Sequence, residues 1–462
     1  MIRIPSSKGK TVAVMGLGKS GLSTARALMA SGANVYAWDD SSDRRAEAEA
    51  AGIPVASLTN GLWNDIDSLV LSPGIPHTFP EPHPVAARAR AQGTEIVGDI
   101  ELLARAEPAA RYIGITGTNG KSTTTALIGH ILETAKRAVQ IGGNLGTPAL
   151  DLAALDQTGT YVLELSSYQL ELMPTAAFDI AVLLNITPDH LDRHGGMDGY
   201  KAAKRRIFDH CHGTAIIGID DPDSAAVCVT LRDNPAVNVI AVSGSLQVDG
   251  GVYAEDGILY DDTSGEPVEI MDLRNVQTLP GAHNAQNAAA AYAATQAAGL
   301  SRADIVNGIR SYPGLPHRQE LIATIGGARY VNDSKATNPE ATAKALGSYP
   351  LIYWIAGGKP KEGGLEAIEP FLPRIRHAYL IGEAAAAFDA ALSGKIDTRI
   401  SGTLAQAVRD AHAAVSAEHP SDAVVLLSPA CASFDQFPNF EERGREFARL
   451  VRDLPAAGEA TP

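Results

Sequence analysis

The sequence predicts an α/β protein of three domains with mainly parallel sheets. Three observations carry that expectation. Short apolar runs alternate with amphipathic helical stretches in three successive blocks, the pattern of strand–helix–strand units. Two glycine-rich loops each stand between an apolar run and a helical stretch. The chain has 462 residues, enough for about three domains at roughly 150 residues each.

The first block opens with the strand Thr11–Met15 and continues with Asn34–Trp38 and Ser68–Leu71. The second has strands at 112–115, 161–165, 180–185 and 214–219. The third has them at 329–332, 351–356, 378–381 and Ala423–Leu427. Residues 237–279, with turn signals at Asp249-Gly250-Gly251 and Ser264-Gly265, are expected as a small β excursion of the middle block. Boundaries fall near Gly98, before a helical stretch at 99–106, and in the linker Ser311-Tyr312-Pro313-Gly314-Leu315-Pro316. The domains are therefore expected at 1–98, 99–314 and 315–462. The first and third read as Rossmann-like, the second as a P-loop mononucleotide-binding sheet. The tail beyond Pro455 reads as frayed.

Hydrophobic residues make up 45% and charged residues 20%, so each block can bury a core of its own. The net charge of -15 argues against a general nucleic-acid or membrane-surface binder. An anionic substrate must be held by local cations against that field. Three scattered cysteines, Cys211, Cys228 and Cys431, make neither a disulfide framework nor a zinc site, which fits a reducing compartment. The opening residues lack the apolar core of a signal peptide, and no stretch is long and apolar enough to span a bilayer. The expectation is a cytoplasmic monomer with no nucleic-acid or membrane partner.

The strongest local signal is Gly114-Ile115-Thr116-Gly117-Thr118-Asn119-Gly120-Lys121-Ser122-Thr123, after a strand and before a helix. Its glycines let backbone N–H groups turn toward a phosphate, and the helix N-terminus adds partial positive charge. Lys121 would sit on the β/γ-phosphates, with the Ser122 or Thr123 hydroxyl on Mg²⁺. The strict G-x-x-x-x-G-K-[ST] pattern misses by one place, since Ile115 stands where glycine is wanted. Glu164, closing a buried-type strand, offers an oxygen ligand where such sheets gather their ligands. His190 follows the next strand.

The second loop, Gly16-Leu17-Gly18-Lys19-Ser20-Gly21, fits G-x-G-x-x-G, and Asp39 and Asp40 close the second strand. This is the dinucleotide fingerprint. Its physics is a diphosphate at a helix N-terminus and an acid beside ribose hydroxyls. UDP meets that description as well as NAD does.

Gly117-Thr118-Asn119-Gly120-Lys121-Ser122 resembles the ATP loop of the Mur ligases. Leu315-Pro316-His317-Arg318, Asn332-Asp333-Ser334-Lys335-Ala336-Thr337-Asn338 and the run from Leu427 through Pro429-Ala430-Cys431-Ala432-Ser433 to Phe437 resemble the D-glutamate-adding branch of that family. So do Val97-Gly98-Asp99-Ile100-Glu101-Leu102 and the run from Leu163 through Ser166-Ser167-Tyr168 to Leu170. The resemblance extends from the Gly16 loop to Phe447.

The resemblance implies one domain for UDP, one for ATP and one for the amino acid. It implies that Gly117, Thr118, Asn119, Gly120, Lys121, Ser122, Thr123, Asn284, Asn287, Arg318 and Asp333 contact ATP. Gly16, Gly18, Lys19, Ser20, Gly21, Asp39, Ser72 and Gly74 fall to UDP, although Lys19 and Asp40 depart from the family's usual residues. Lys335, Thr337, Lys361, Ser433 and Phe440 surround D-glutamate, with Lys359 a rival for Lys361. Two Mg²⁺ ions are expected, on Ser122, Glu164, His190 and Lys204. Asn144 lies near the muramoyl substrate, and with Lys121, His190 and Lys204 it makes up the catalytic set. Lys204 is expected as a carbamate formed with CO₂, its amine kept neutral by burial and by Arg205.

The implied reaction is phosphoryl transfer followed by acyl transfer. The L-alanine carboxylate of UDP-N-acetylmuramoyl-L-alanine attacks the γ-phosphate of ATP. The D-glutamate amine then displaces phosphate from the acyl phosphate. A family member adding another amino acid, such as L-glutamate, is the alternative. An NAD-dependent dehydrogenase would leave the Lys121 loop unexplained, and a non-catalytic nucleotide switch would leave the third domain without a purpose.

Overall fold

Apolar runs form the interior strands, and half-polar runs form the sheet edges. The computed structural model describes residues 1–59, 63–144, 146–360 and 364–455. The first sheet contains β1 (Thr11–Met15), β2 (Asn34–Trp38), β3 (Ser68–Leu71) and β4 (Glu95–Val97), ordered β2-β1-β3-β4 and parallel throughout. The second contains β5 (Arg111–Thr116), β6 (Val139–Gly143), β7 (Thr160–Glu164), β8 (Ile180–Leu183), β9 (Thr214–Gly218), β10 (Asn238–Ser243), β11 (Val252–Glu255), β12 (Ile258–Asp261) and β13 (Val268–Asp272). Its order is β13-β12-β11-β10-β9-β8-β5-β7-β6, with only β11-β12-β13 antiparallel. The expected β excursion thus takes the form of an extension of the central sheet.

The third sheet contains β14 (Glu320–Ile325), β15 (Ala328–Asn332), β16 (Leu351–Gly357), β17 (Ile375–Ile381), β18 (Asp397–Gly402) and β19 (Ala423–Leu427). Its order is β14-β15-β19-β16-β17-β18, with only β14–β15 antiparallel. The chain divides into two compact units, Met1–Asn275 with Ala282–Tyr312, and Val276–Gly281 with Pro313–Pro462. The first two sheets belong to the first unit and the third sheet to the second. The α/β class and the parallel-rich sheets are as the sequence predicts.

Four strands went unassigned in the sequence: β4, β6, β14 and β18. All four are sheet edges. An edge strand pairs on one side only and keeps a solvated flank, so its apolar pattern is weak. β18 reads Asp-Thr-Arg-Ile-Ser-Gly and has no fully buried residue. The interior strands β7, β8 and β19 are buried at every position, being covered on both faces.

Two local features position the glycine-rich loops. The helix Ala282–Ala297 is rich in alanine, and it packs closely on the helix Lys121–Thr134. That close approach brings Asn287 to Gly120, whose φ of 85° is a left-handed conformation that glycine adopts without strain. In the first sheet, the helix Lys19–Ala30 begins directly against the end of β1. A Cβ on Gly21 would overlap the Gly16 carbonyl oxygen. Gly21→Ala should therefore destabilise the first unit by about 1–3 kcal/mol, the usual cost of overpacking. Calorimetric melting of the purified variant measures it, and an unchanged transition would refute the close-packing account.

Candidate active site

The carboxyl ends of four adjacent strands, β8-β5-β7-β6, carry the central candidates. The loop after β5 leads into the helix Lys121–Thr134, whose N-cap, Gly120, offers no side-chain acceptor. The N–H groups of the first turn therefore remain available to an external anion. Lys121 Nζ donates to the Gly117 and Thr118 carbonyls at 2.8 and 2.9 Å. The loop is braced from outside. Asn185 Oδ1 accepts from the Asn119 N–H at 2.8 Å, and the Thr118 hydroxyl pairs with Tyr200 at 3.0 Å. Behind it, Asn287 accepts from Thr124 at 3.2 Å and donates to Asn284 at 3.0 Å, and both asparagines are buried. Ser122 and Thr123 are buried at the first helical turn.

Glu164 ends β7 and Asn144 follows β6, the neighbouring strand. Asn144 Nδ2 donates to Glu164 Oε1 at 2.7 Å. Glu164 is 3% exposed, and its Oε2 is buried with no hydrogen-bond partner. A buried carboxylate oxygen with unused lone pairs suits a hard cation. Among the described residues no group of three or more His, Cys, Asp or Glu converges as a metal site. Mg²⁺ needs no such cage, because it is commonly held by one or two carboxylates together with water and phosphate. The residues present therefore fit Mg²⁺.

His190 is exposed, with a left-handed φ of 51°, and faces Asp189 at 3.6 Å. Lys204 lies in the helix Met197–Arg205 and is 2% exposed. Its ammonium sits over the Tyr200 ring, 4.7 Å from the centroid, and makes no ion pair among the described residues. Burial, and then the charge of Lys121, hold its pKa well below the ordinary lysine value, while Asp189 opposes them. The like charge expected from Arg205 comes instead from Lys121, because Arg205 is exposed to solvent while Lys204 is buried.

The Gly16 loop follows β1 at the point where the chain passes from β2 back to β3, the crevice in which such sheets bind ligands. Gly18, the N-cap of the following helix, likewise offers no side chain to the first-turn N–H groups. Ser72, just past β3, donates to the Gly16 carbonyl at 2.7 Å. Asp39 accepts from the Leu17 N–H at 2.7 Å and from the Ser41 N–H at 2.9 Å. Burial pushes the Asp39 carboxyl up, but those bonds and Arg44 outweigh it and hold it below the ordinary value. Asp39 thus braces the loop directly. Lys19 and Gly74 are exposed, and Ser20 is half-buried.

In the second unit, the candidates collect at the ends of β15 and β19, adjacent strands. Asp333 is buried and accepts from the Ser428 hydroxyl at 2.8 Å and the Gln319 N–H at 3.2 Å. Burial pushes its carboxyl up to about 7, against those bonds and the nearby Arg318. Lys335 Nζ lies 5.7 Å from the centre of the Phe440 ring, and the Thr337 N–H donates to the Lys335 carbonyl at 2.9 Å. Ser433 is buried at the end of the β19 loop. Lys361 lies outside the described residues, and its rival Lys359 is exposed.

Comparison with known proteins places the chain in a family. Residues 10–98 match the family described as Mur ligase MurD-like, N-terminal domain, and residues 115–295 match the Mur ligase middle domain. A UDP-N-acetylmuramoylalanine–D-glutamate ligase from Rhodospirillum rubrum is 56% identical over 454 residues, covering 96% of this chain and 95% of that protein. The chain belongs to the Mur ligase family. A relative of the same name from Phenylobacterium zucineum is 50% identical, covering 100% of this Mur ligase and 99% of its own length. The solved structure of MurF from Acinetobacter baumannii shares the fold at a TM-score of 0.58 and 20% identity, covering 97% of this chain and 93% of that one.

The structure of this Mur ligase also shows residues that the sequence did not single out. Arg443 is 1% exposed, and burial lowers its pKa to about 10. It donates to the Ser334 hydroxyl and carbonyl and to the Cys431 and Ala432 carbonyls at 2.9–3.3 Å. It therefore staples the two loops that carry Lys335 and Ser433. In the sequence it looks like one more solvated charge, yet it shares the buried stripe of Phe447 and Val451, which was the available signal. A second network joins Ser167, His194, Glu171 and His77 at 2.9–3.1 Å, pulling the Glu171 carboxyl down to about 2 against burial.

Asp333 yields a pH prediction. Its folded pKa of about 7 exceeds the ordinary 3.8, so the folded state holds the proton more tightly. Stability of the second unit should therefore fall as pH rises from about 4 to about 7, then level off. Asp333→Asn should flatten that slope. Urea midpoints across this range, for both proteins, test it.

Proposed function

We propose that this chain is an ATP-dependent carbon–nitrogen ligase that adds D-glutamate to UDP-N-acetylmuramoyl-L-alanine, a cytoplasmic step of peptidoglycan precursor synthesis. The observation that carries the reading is 50–56% identity over nearly the whole chain to relatives named for that reaction. The Gly16 loop then binds the UDP diphosphate, not NAD. The loop Gly117–Thr123, with Asn284, Asn287, Arg318 and Asp333, binds ATP. Lys335, Thr337, Ser433 and Phe440 receive D-glutamate, with Lys359 or Lys361. The three-domain division of labour at 1–98, 99–314 and 315–462 belongs to the same reading.

A free carboxylate is a poor acyl donor, because its leaving group would be oxide. Attack of the alanyl carboxylate on the γ-phosphate makes an acyl phosphate and ADP. The D-glutamate amine then attacks the acyl carbon, loses a proton and expels inorganic phosphate. Two anions must meet in the first step. Lys121 neutralises charge that builds toward the β/γ bridge, and the first-turn N–H groups hold the phosphates still. Ser122 and Glu164 would hold Mg²⁺, which supplies further charge neutralisation when bound. Asn144 fixes the Glu164 carboxylate from one side, which leaves its second oxygen for that role.

Lys204 belongs to this reading as a carbamate. Its ammonium gives up one proton, the neutral amine adds to CO₂ and loses a second, and the side chain thereby changes from +1 to -1. Burial and Lys121 both favour the neutral amine that reacts. Once carbamylated, Lys204 attracts Lys121 instead of repelling it. The new oxygens, with His190, suit a second Mg²⁺.

Four measurements test the proposal. Inorganic phosphate release from ATP, with UDP-N-acetylmuramoyl-L-alanine present, should depend on D-glutamate and not on L-glutamate. Lys121→Ala should lower turnover by roughly 10²-fold or more, the scale for losing one preorganised stabiliser. Near-normal turnover would make Lys121 a bystander. Lys204→Ala should lose most activity and regain part of it with acetate, while Lys204→Arg should stay inactive. Absence of a carbamate carbon resonance after ¹³CO₂ labelling of active enzyme would remove the carbamate from the mechanism.

A further inference from the structure

One cation near the first sheet has no task in the reading above. Arg193 lies in the short helix Leu191–His194 and is half-buried. Its Nη1 donates to the Gly74 carbonyl at 3.1 Å, and the guanidinium lies 4.6 Å from the centre of the Tyr168 ring. Its Nε is buried with no hydrogen-bond partner, and among the described residues Arg193 forms no ion pair. The carboxylates around the same Tyr168 ring are Asp189, Asp192 and Glu171. Asp189 faces His190, Glu171 is engaged by His77 and His194, and Asp192 is exposed.

The position of this guanidinium is built. Gly74 follows β3, which borders the crevice of the Gly16 loop, and Ser72 ties the two loops through the Gly16 carbonyl. The segment that carries Gly74 is docked onto the central fold at two further points. His77 meets Glu171 at 3.0 Å, and the Phe79 ring lies against Gly195, where a Cβ would strike it. Residues 74–79 and 171–195 therefore hold Arg193 against the loop that follows β3, the strand bordering that crevice.

Sequestering a guanidinium without an anion costs desolvation energy, which an anionic ligand offsets. A chain of net charge -15 needs a local cation to hold a diphosphate. The other cations beside the crevice are occupied or solvated. Arg44 lies 3.4 Å from Asp39, Arg45 donates to the Asp39 and Asp40 carbonyls, and Lys19 is exposed.

We propose that Arg193 binds the diphosphate of the nucleotide-sugar substrate, a residue of the central fold serving the crevice of the first sheet. The proposal rests on the UDP reading of the Gly16 loop. It also ties that crevice to the segment bearing His190, three residues away.

The test titrates the full-length protein with UDP and with uridine, using the wild type, Arg193→Met and Arg193→Lys, with ATP binding as the control for folding. Arg193→Met should lose about tenfold or more in UDP affinity, the cost of charge-assisted hydrogen bonds to phosphate. Uridine and ATP affinities should stay within about twofold, and Arg193→Lys should fall between. Equal losses for uridine and UDP would make Arg193 a structural clamp and overturn the proposal. Undiminished UDP binding by Arg193→Met would overturn it while leaving the UDP reading intact. A wild type that ignores UDP would overturn both.

Discussion

The backbone hydrogen bonds around β5 set where every functional loop of the central sheet emerges. Ile115 stands opposite Glu164 of β7 and Val182 of β8, and Gly143 of β6 stands opposite Glu164. The ladder runs on past the strand ends. Leu165 N–H donates to the Ile115 carbonyl at 2.8 Å, Asn144 N–H to the Glu164 carbonyl at 2.9 Å and Leu184 N–H to the Thr116 carbonyl at 3.0 Å. A slip of one residue would turn Glu164 to the opposite face of the sheet and part it from Asn144. Both faces are covered, so a slipped register would also leave the same apolar strands with mismatched packing partners.

Charge is placed in this molecule by burial more than by pairing. Arg443 is buried among carbonyls and a hydroxyl, and Lys204 on the face of a tyrosine ring. Each bears a desolvation cost that the nearby carboxylates, Asp435 and Asp189 respectively, offset only in part. The acids show the same pattern. Asp333 is pushed up to about 7, and one Glu164 oxygen is left without a donor. Structural ion pairs seldom look like this. Sites that receive charged ligands and must change charge during a reaction commonly do.

The loops are braced by groups far away in sequence, and this gives them their rigidity. Thr118 leans on Tyr200, 82 residues on. Ser334 is held by Arg443, 109 residues on. Asn287 closes the back of the phosphate loop through Thr124, 163 residues away. Preorganised N–H groups and cations stabilise a transition state only if they need not be reoriented as charge moves.

The sequence by itself determined the α/β class, the interior strands, the two glycine-rich loops and the order of the blocks. Those features are local: a run of apolar residues, a glycine that permits a left-handed φ, a lysine at the start of a helix. The residues around Asp333 and Ser433 became legible through their resemblance to a known family. Only the tertiary structure decided the edge strands, the pairing of Asn144 with Glu164, the source of the charge beside Lys204, and the surroundings of Arg443 and Arg193. Arg443 and Arg193 look like solvated charges in sequence, and only the apolar stripe that Arg443 shares with Phe447 and Val451 hints at burial. Their partners are brought to them by strand order and helix packing, and an electrostatic role depends on what the folded chain places within a few ångströms.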